Sequence, residues 1–173
     1  MQTRKILFSI PIFIAIYIFQ EAVVSQFRLP GGGFSVFMIF TLVWASISSP
    51  EIAALSGFFA GFLMDISQSS SGPVGQWTLI LILISYGISY FGYGKDNIYA
   101  SPLGVVFFVV IANLAAEFIF IVTGVLLGNA LPSLNEIALT MLGNTLWTLA
   151  MTPIFLPLFS RLHNLVFETR TNS

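Results

Sequence analysis

Apolar runs broken by polar, Gly or Pro positions predict six helical segments, at 6–25, 34–48, 51–66, 74–92, 102–127 and 134–160. Crossing the hydrocarbon of a bilayer takes about 20 residues, so the second and third segments are short for a span. They are joined by Ser48-Ser49-Pro50-Glu51, where Ser49 suits an N-cap and Pro50 the first helical position. Ser101-Pro102 repeats the device before the fifth segment, and Ser133-Leu134-Asn135-Glu136 reads as a capping box opening the sixth. The pattern leaves two readings of 34–66 open: two spans, or a re-entrant hairpin, with which the preceding "LPGGGF" is compatible. Pro11, Pro153 and Pro157 fall inside apolar segments, where each removes a backbone donor and predicts a kink.

Composition explains why the runs are so long. Of 173 residues 57% are hydrophobic and 8% charged, with a mean hydropathy of +0.95, whereas soluble domains hold about 25% charged residues. Too little polar surface is left to cover a globule in water, and the surplus implies a lipid bilayer. The expected fold class is therefore all-α, a polytopic membrane protein forming one compact bundle of six transmembrane helices in a single domain, 1–173. The start "MQTRKILFSIPIFIAIYIFQ" resembles a secretory signal, but its apolar stretch runs to about Val24 with no small-x-small cleavage site, so it is expected to be a retained first span.

Charge sets the expected orientation. With the N-terminus in the cytoplasm, Arg4, Lys5, Lys95, Arg161 and Arg170 lie inside and Arg28 outside, which satisfies the positive-inside rule with both termini cytoplasmic. Counting 34–66 as re-entrant leaves the parity unchanged. Tyr86, Tyr90 and Tyr93 fall at the inner end of the fourth span and Trp77 near its outer end, positions suited to interfacial aromatics. A net charge of -1 supplies no cationic field for nucleic acid.

Candidate chemistry is sparse. Cysteine is absent and the one histidine, His163, falls in the terminal tail, so disulfides, thiolate chemistry and Cys- or His-based metal sites are not expected. No base stands near a nucleophile and no paired carboxylates share a face and depth; neither an enzyme nor a cofactor is expected.

Two groups of residues remain. Ala53, Gly57, Gly61 and Asp65 recur at four-residue spacing, a small-residue face along which another helix can approach closely, as lipid-embedded packing requires. Asp65 ends that helix, where a carboxylate opposes the dipole. Arg28 is one compensating partner; the other, which "SGPVG" with Gly72 and Gly75 favours, is the N-terminus of the fourth helix at Gly75, Gln76 and Trp77. The face is expected to pack internally or to meet another protein.

The second group is Asn113, Glu117 and Asn144. A charged carboxylate inside hydrocarbon costs about 2.5–3.5 kcal/mol on insertion scales. Glu117 and Asn144 each stand ten residues from the outer end of their segments, and Asn113 lies one turn from Glu117. The three are expected to form a buried polar core, serving as a structural hydrogen-bond cluster, a coupling to a partner, or a ligand or proton site. Gln20 and Glu21 are expected at the interface, and Trp147 in packing.

The stretch "SSPEIAALSGFFAGFLMDISQSSSGPVGQWTLILILISY", residues 48–86, resembles the rod shape-determining MreD family in its Gly-xxx-Gly-xxx-Asp helix followed by a short loop, a Gly and a long apolar span; Gly57, Gly61, Asp65 and Gly75 carry the match. The resemblance implies a non-catalytic, multi-pass protein of the bacterial inner membrane. It would act in side-wall peptidoglycan synthesis as a scaffold for an MreC-like single-span partner, together with RodA, a class B penicillin-binding protein and MreB. It also implies a fold similar to the substrate-binding subunits of energy-coupling-factor vitamin transporters, and a vitamin-binding subunit of that type is the alternative. A proton-coupled carrier centred on Glu117 lacks the paired charges such carriers use.

Because the chain lacks cysteine, orientation is open to direct test. A membrane-impermeant maleimide should label Ser69→Cys on intact cells and Asn97→Cys only after permeabilisation; the reverse pattern would invert the topology.

Overall fold

In the computed structural model the described residues are 2–27, 29–67, 72–92, 101–130 and 133–167. Among them are six α-helices: α1 (Gln2–Ala22), α2 (Val36–Ser46), α3 (Pro50–Ile66), α4 (Gln76–Gly92), α5 (Pro102–Leu126) and α6 (Leu134–Phe167), with short 3-10 turns at Val24–Gln26 and Pro30–Gly32. Three segments, Phe8–Gln26, Pro102–Leu126 and Leu134–Phe167, are long and apolar enough to cross a membrane. Their apolar side chains largely face outward: Ile18, Phe107, Phe118, Leu142 and Leu146 are all exposed, as a helix bundle in lipid requires.

Helix α2 differs from the rest. It has 11 residues, all of them buried, and packs against each of the other five helices. At 1.5 Å per residue it is about 16 Å long, well short of a bilayer's hydrocarbon thickness. A helix apolar all round belongs in an interior, and "VFMIFTLVWAS" supplies that interior with Phe37, Phe40 and Trp44. Phe13 of α1 meets all three rings edge-on, Phe40 at 4.8 Å between centroids, and Phe159 of α6 packs on Phe40 at 5.1 Å.

A short buried helix leaves backbone groups at both ends that water cannot reach, and each needs a partner. At the N-terminus Gln20 Oε1 accepts from the amides of Val36 (2.8 Å) and Phe37 (3.4 Å), and Ser35 Oγ accepts from Met38 N at 3.1 Å. Gln20 is therefore a cap within the bundle, with a more specific task than the interfacial place expected for it. At the C-terminus Ser48 Oγ donates to Trp44 O and Ser46 Oγ to Val43 O, both at 2.7 Å.

Ser48 also corrects the expectation for His163. Helix α6 continues through Pro153 and Pro157 to Phe167, past the limit of 160 read from the sequence, and carries His163 back into the bundle. His163 is buried, stacked on Phe167 at 4.5 Å and edge-on to Trp44 at 4.9 Å, with Nε2 3.1 Å from Ser48 Oγ. Since the Ser48 hydroxyl proton goes to Trp44 O, His163 Nε2–H is the donor to Ser48. Tail placement from hydropathy failed because the polar end of the sixth apolar run continues the helix over α2.

The triple glycine acquires a geometric reason. Gly31, Gly32 and Gly33 all have positive φ, 72°, 83° and 71°, a region that side chains disfavour. They carry the chain over α6 so closely that a Cβ on Gly143 would lie 2.3 Å from Gly31 O. Gly143→Ala should therefore push the loop off α6 and lower the unfolding free energy by about 1–3 kcal/mol, measured by denaturant unfolding of the detergent-purified protein.

A clasped helix pair beside an acid-lined cavity as the candidate functional site

Helices α3 and α4 form the most intimate pair in the bundle. A Cβ on Gly57 would stand 2.3 Å from Leu81 O, and one on Gly61 would stand 2.4 Å from Thr78 Cα and 2.6 Å from Trp77 O. Backbone therefore lies on backbone at both glycines, and Ala53 on the same face is fully buried. In lipid, where tails are as apolar as side chains, such close van der Waals contact is the main attraction between helices.

Asp65 ends this seam. Its Oδ1 accepts from Trp77 N at 3.0 Å, and its Oδ2 accepts from Thr78 N at 2.9 Å and from the Thr78 hydroxyl. Both amides belong to the first turn of α4, where no intrahelical acceptor exists and the helix dipole favours an anion. The unfavourable end of α3 is thereby matched to the favourable end of α4. Of the two partners considered from the sequence, the helix N-terminus is the one in contact; Arg28 lies outside the described residues.

The flanking glycines differ from each other. Gly72 is tight: a Cβ there would meet Gln76 Oε1 at 2.3 Å and the Phe120 ring at 3.1 Å. Gly75, expected among the packing residues, has open space where its Cβ would be and a φ of +99°; it supplies a turn, not a contact. Gln76 then ties α4 to α5, its Nε2 donating to Phe120 O at 2.8 Å and to Thr123 Oγ1 at 2.7 Å. Trp77 lies flat on Phe120, centroids 4.5 Å apart, so the ring expected at the membrane interface packs between α4 and α5. Tyr86 and Tyr90 are exposed and stack on one another.

The polar group on α5 and α6 meets in space, but of the three residues expected in a buried core only Asn113 is buried; Glu117 and Asn144 are half-buried because the cavity beside them leaves that side open. Asn113 Nδ2 donates to Glu117 Oε1 at 3.2 Å and to Asn144 Oδ1 at 3.1 Å, and Thr148 Oγ1 donates to the same Asn144 oxygen at 3.1 Å. Both protons of the Asn113 amide are then committed. Glu117 Oε2 is buried and has no hydrogen-bond partner among the described residues. Thr148 was not anticipated, although Asn144, Thr148 and Thr152 at four-residue spacing form a polar stripe that was legible on α6.

Beside this group a cavity of about 370 Å³ opens between α5 and α6, lined by Asn113, Glu117 and Phe120 of α5 and by Met141 and Asn144 of α6, with Met38 of α2 and Trp77 of α4 completing its walls. Glu136, exposed and holding the Ser133 capping box (Glu136 N to Ser133 Oγ 3.3 Å, Ser133 N to Glu136 Oε2 3.1 Å), also lines it. A second cavity of about 360 Å³ shares Ser35, Met64, Trp77 and Phe120 as a common wall. Among the described residues no group of three or more acidic or His side chains could hold a metal ion.

No protein-family profile, curated protein or solved structure matches the chain. The geometry of the clasp makes its own prediction. Asp65→Asn puts an amide NH₂ against donors that need an acceptor, and it should cost roughly 1.5–3 kcal/mol, the worth of a hydrogen bond to a charged group. Asp65→Asn with unfolding unchanged in detergent would mean that the carboxylate does not hold α3 to α4.

Proposed function

We propose that the chain is a non-catalytic, multi-pass component of the bacterial inner membrane, an MreD-like scaffold of the cell-elongation machinery that builds side-wall peptidoglycan. On this reading all six helices lie within the bilayer with both termini cytoplasmic. The protein works by lateral contact with an MreC-like single-span partner, which joins it to RodA, a class B penicillin-binding protein and MreB.

The observation that supports this best is the clasp. Gly57, Gly61 and Asp65 carry the resemblance to that family, and they are the residues that bind α3 to α4. A pair held so closely presents a stiff outer surface: Leu55, Phe58, Phe62 and Ile66 of α3 are exposed, with Phe58 and Phe62 stacked at 6.3 Å. A partner helix can pack on such a surface in lipid without first ordering it.

A second reading, a vitamin-binding subunit of an energy-coupling-factor type transporter, is favoured by the cavity beside Glu117. Depletion in a rod-shaped host separates the two. Rounding of rods into spheres, with copurification of a single-span membrane protein in mild detergent, is the result expected of the scaffold. Unchanged shape with vitamin auxotrophy would replace it by the transporter subunit.

A further inference from the structure

The cavity holds features that a scaffold does not need. Its walls are mainly apolar, with the stacked Trp77 and Phe120 on one side, yet the half-buried Glu117 lines it, a carboxylate of which one oxygen is buried without a partner. An unpaired acceptor shut away from water is costly, and Asn113 has no proton left to offer it. Its volume, about 370 Å³, falls in the range of small-molecule sites, roughly 300–1,000 Å³.

Charge narrows the ligand. Two acidic side chains, Glu117 and Glu136, line the cavity, and no Lys or Arg is among the described residues lining it. A phosphate or carboxylate would meet like charge there. A cation would meet a carboxylate in a low-dielectric surround, where the attraction is several-fold stronger than in water. We propose that this cavity binds a compact hydrophobic amine, its ammonium paired with the Glu117 carboxylate and its hydrocarbon body lying against Trp77, Phe120 and Met141. The inference rests on neither reading of the cellular role: a failure of amine binding would leave the cell-shape result standing, and the converse also holds.

Three probes of one body and different heads test it: 1-aminoadamantane, 1-adamantanol and adamantane-1-carboxylate. Each is titrated into the full chain in phosphatidylcholine nanodiscs, with calorimetry and tryptophan fluorescence as readouts. The amine should bind saturably and at least about ten-fold more tightly than the alcohol, and the carboxylate should not bind. Glu117→Gln should weaken the amine about ten-fold or more and leave the alcohol within about two-fold, a pattern that general loss of structure would not give. Ile137→Trp, which fills the cavity from its rim, should abolish binding of amine and alcohol alike while the thermal unfolding midpoint is kept. Absence of saturable amine binding to the folded protein, carboxylate binding equal to that of the amine, or an unchanged amine affinity in Glu117→Gln would each overturn the proposal.

Discussion

The carboxylate of Asp65 set against the first-turn amides of α4 is the contact on which the rest of the arrangement depends. A helix dipole leaves partial negative charge at the end of α3 and partial positive charge at the start of α4. Asp65 sits between them, 7% exposed, with both oxygens engaged. With the two ends joined, Gly61 and Gly57 are brought onto the backbone of residues 77–81 in turn. The register of the pair thus follows from one ionic group and two missing side chains. It also fixes Gln76 and Trp77, which carry the contact onward to Thr123 and Phe120 of α5.

The second constraint is the enclosure of α2. An 11-residue helix surrounded on all sides has no water for its terminal amides and carbonyls, and its neighbours supply what is missing. Gln20 reaches across from α1, and Ser48 closes the other end while receiving His163 from α6. Ser89 of α4 donates to Ser48 O at 2.6 Å, so three helices, α2, α4 and α6, converge on one serine. Gln20, Ser46, Ser48 and Ser89 stand at such joints, where each satisfies backbone that a longer helix would have satisfied within itself.

The polar group on α5 and α6 is built differently. Asn113, Asn144 and Thr148 satisfy one another but leave Glu117 half engaged beside an open volume. Stability alone would favour an apolar substitute at such a site. The clasp and this group are distinct in kind: at one both carboxylate oxygens are engaged and a seam is closed, the other keeps an unpaired carboxylate oxygen beside space.

Much of this was open to reading in one dimension. The six helices, the Ser133–Glu136 capping box and the coincidence of Asn113, Glu117 and Asn144 follow from apolar run length, Pro at the first helical position and a rise of about 1.5 Å per residue, because each is local or depends only on distance along a straight rod; Ser49 and Ser101 stand at the N-cap positions read for them but make no side-chain cap bond. What tertiary structure alone decided concerns which apolar surface is buried against protein and which is left exposed. The "VFMIFTLVWAS" of the buried α2 and the "LILILISY" of α4 differ little in hydropathy, since hydrocarbon and protein interior are nearly the same solvent to a Leu or a Phe. For the same reason Gly143 against Gly31, and His163 against Ser48, could be found only once the helices were placed: contacts between distant residues leave no period in the sequence, and in this chain hydrophobicity cannot tell inside from outside.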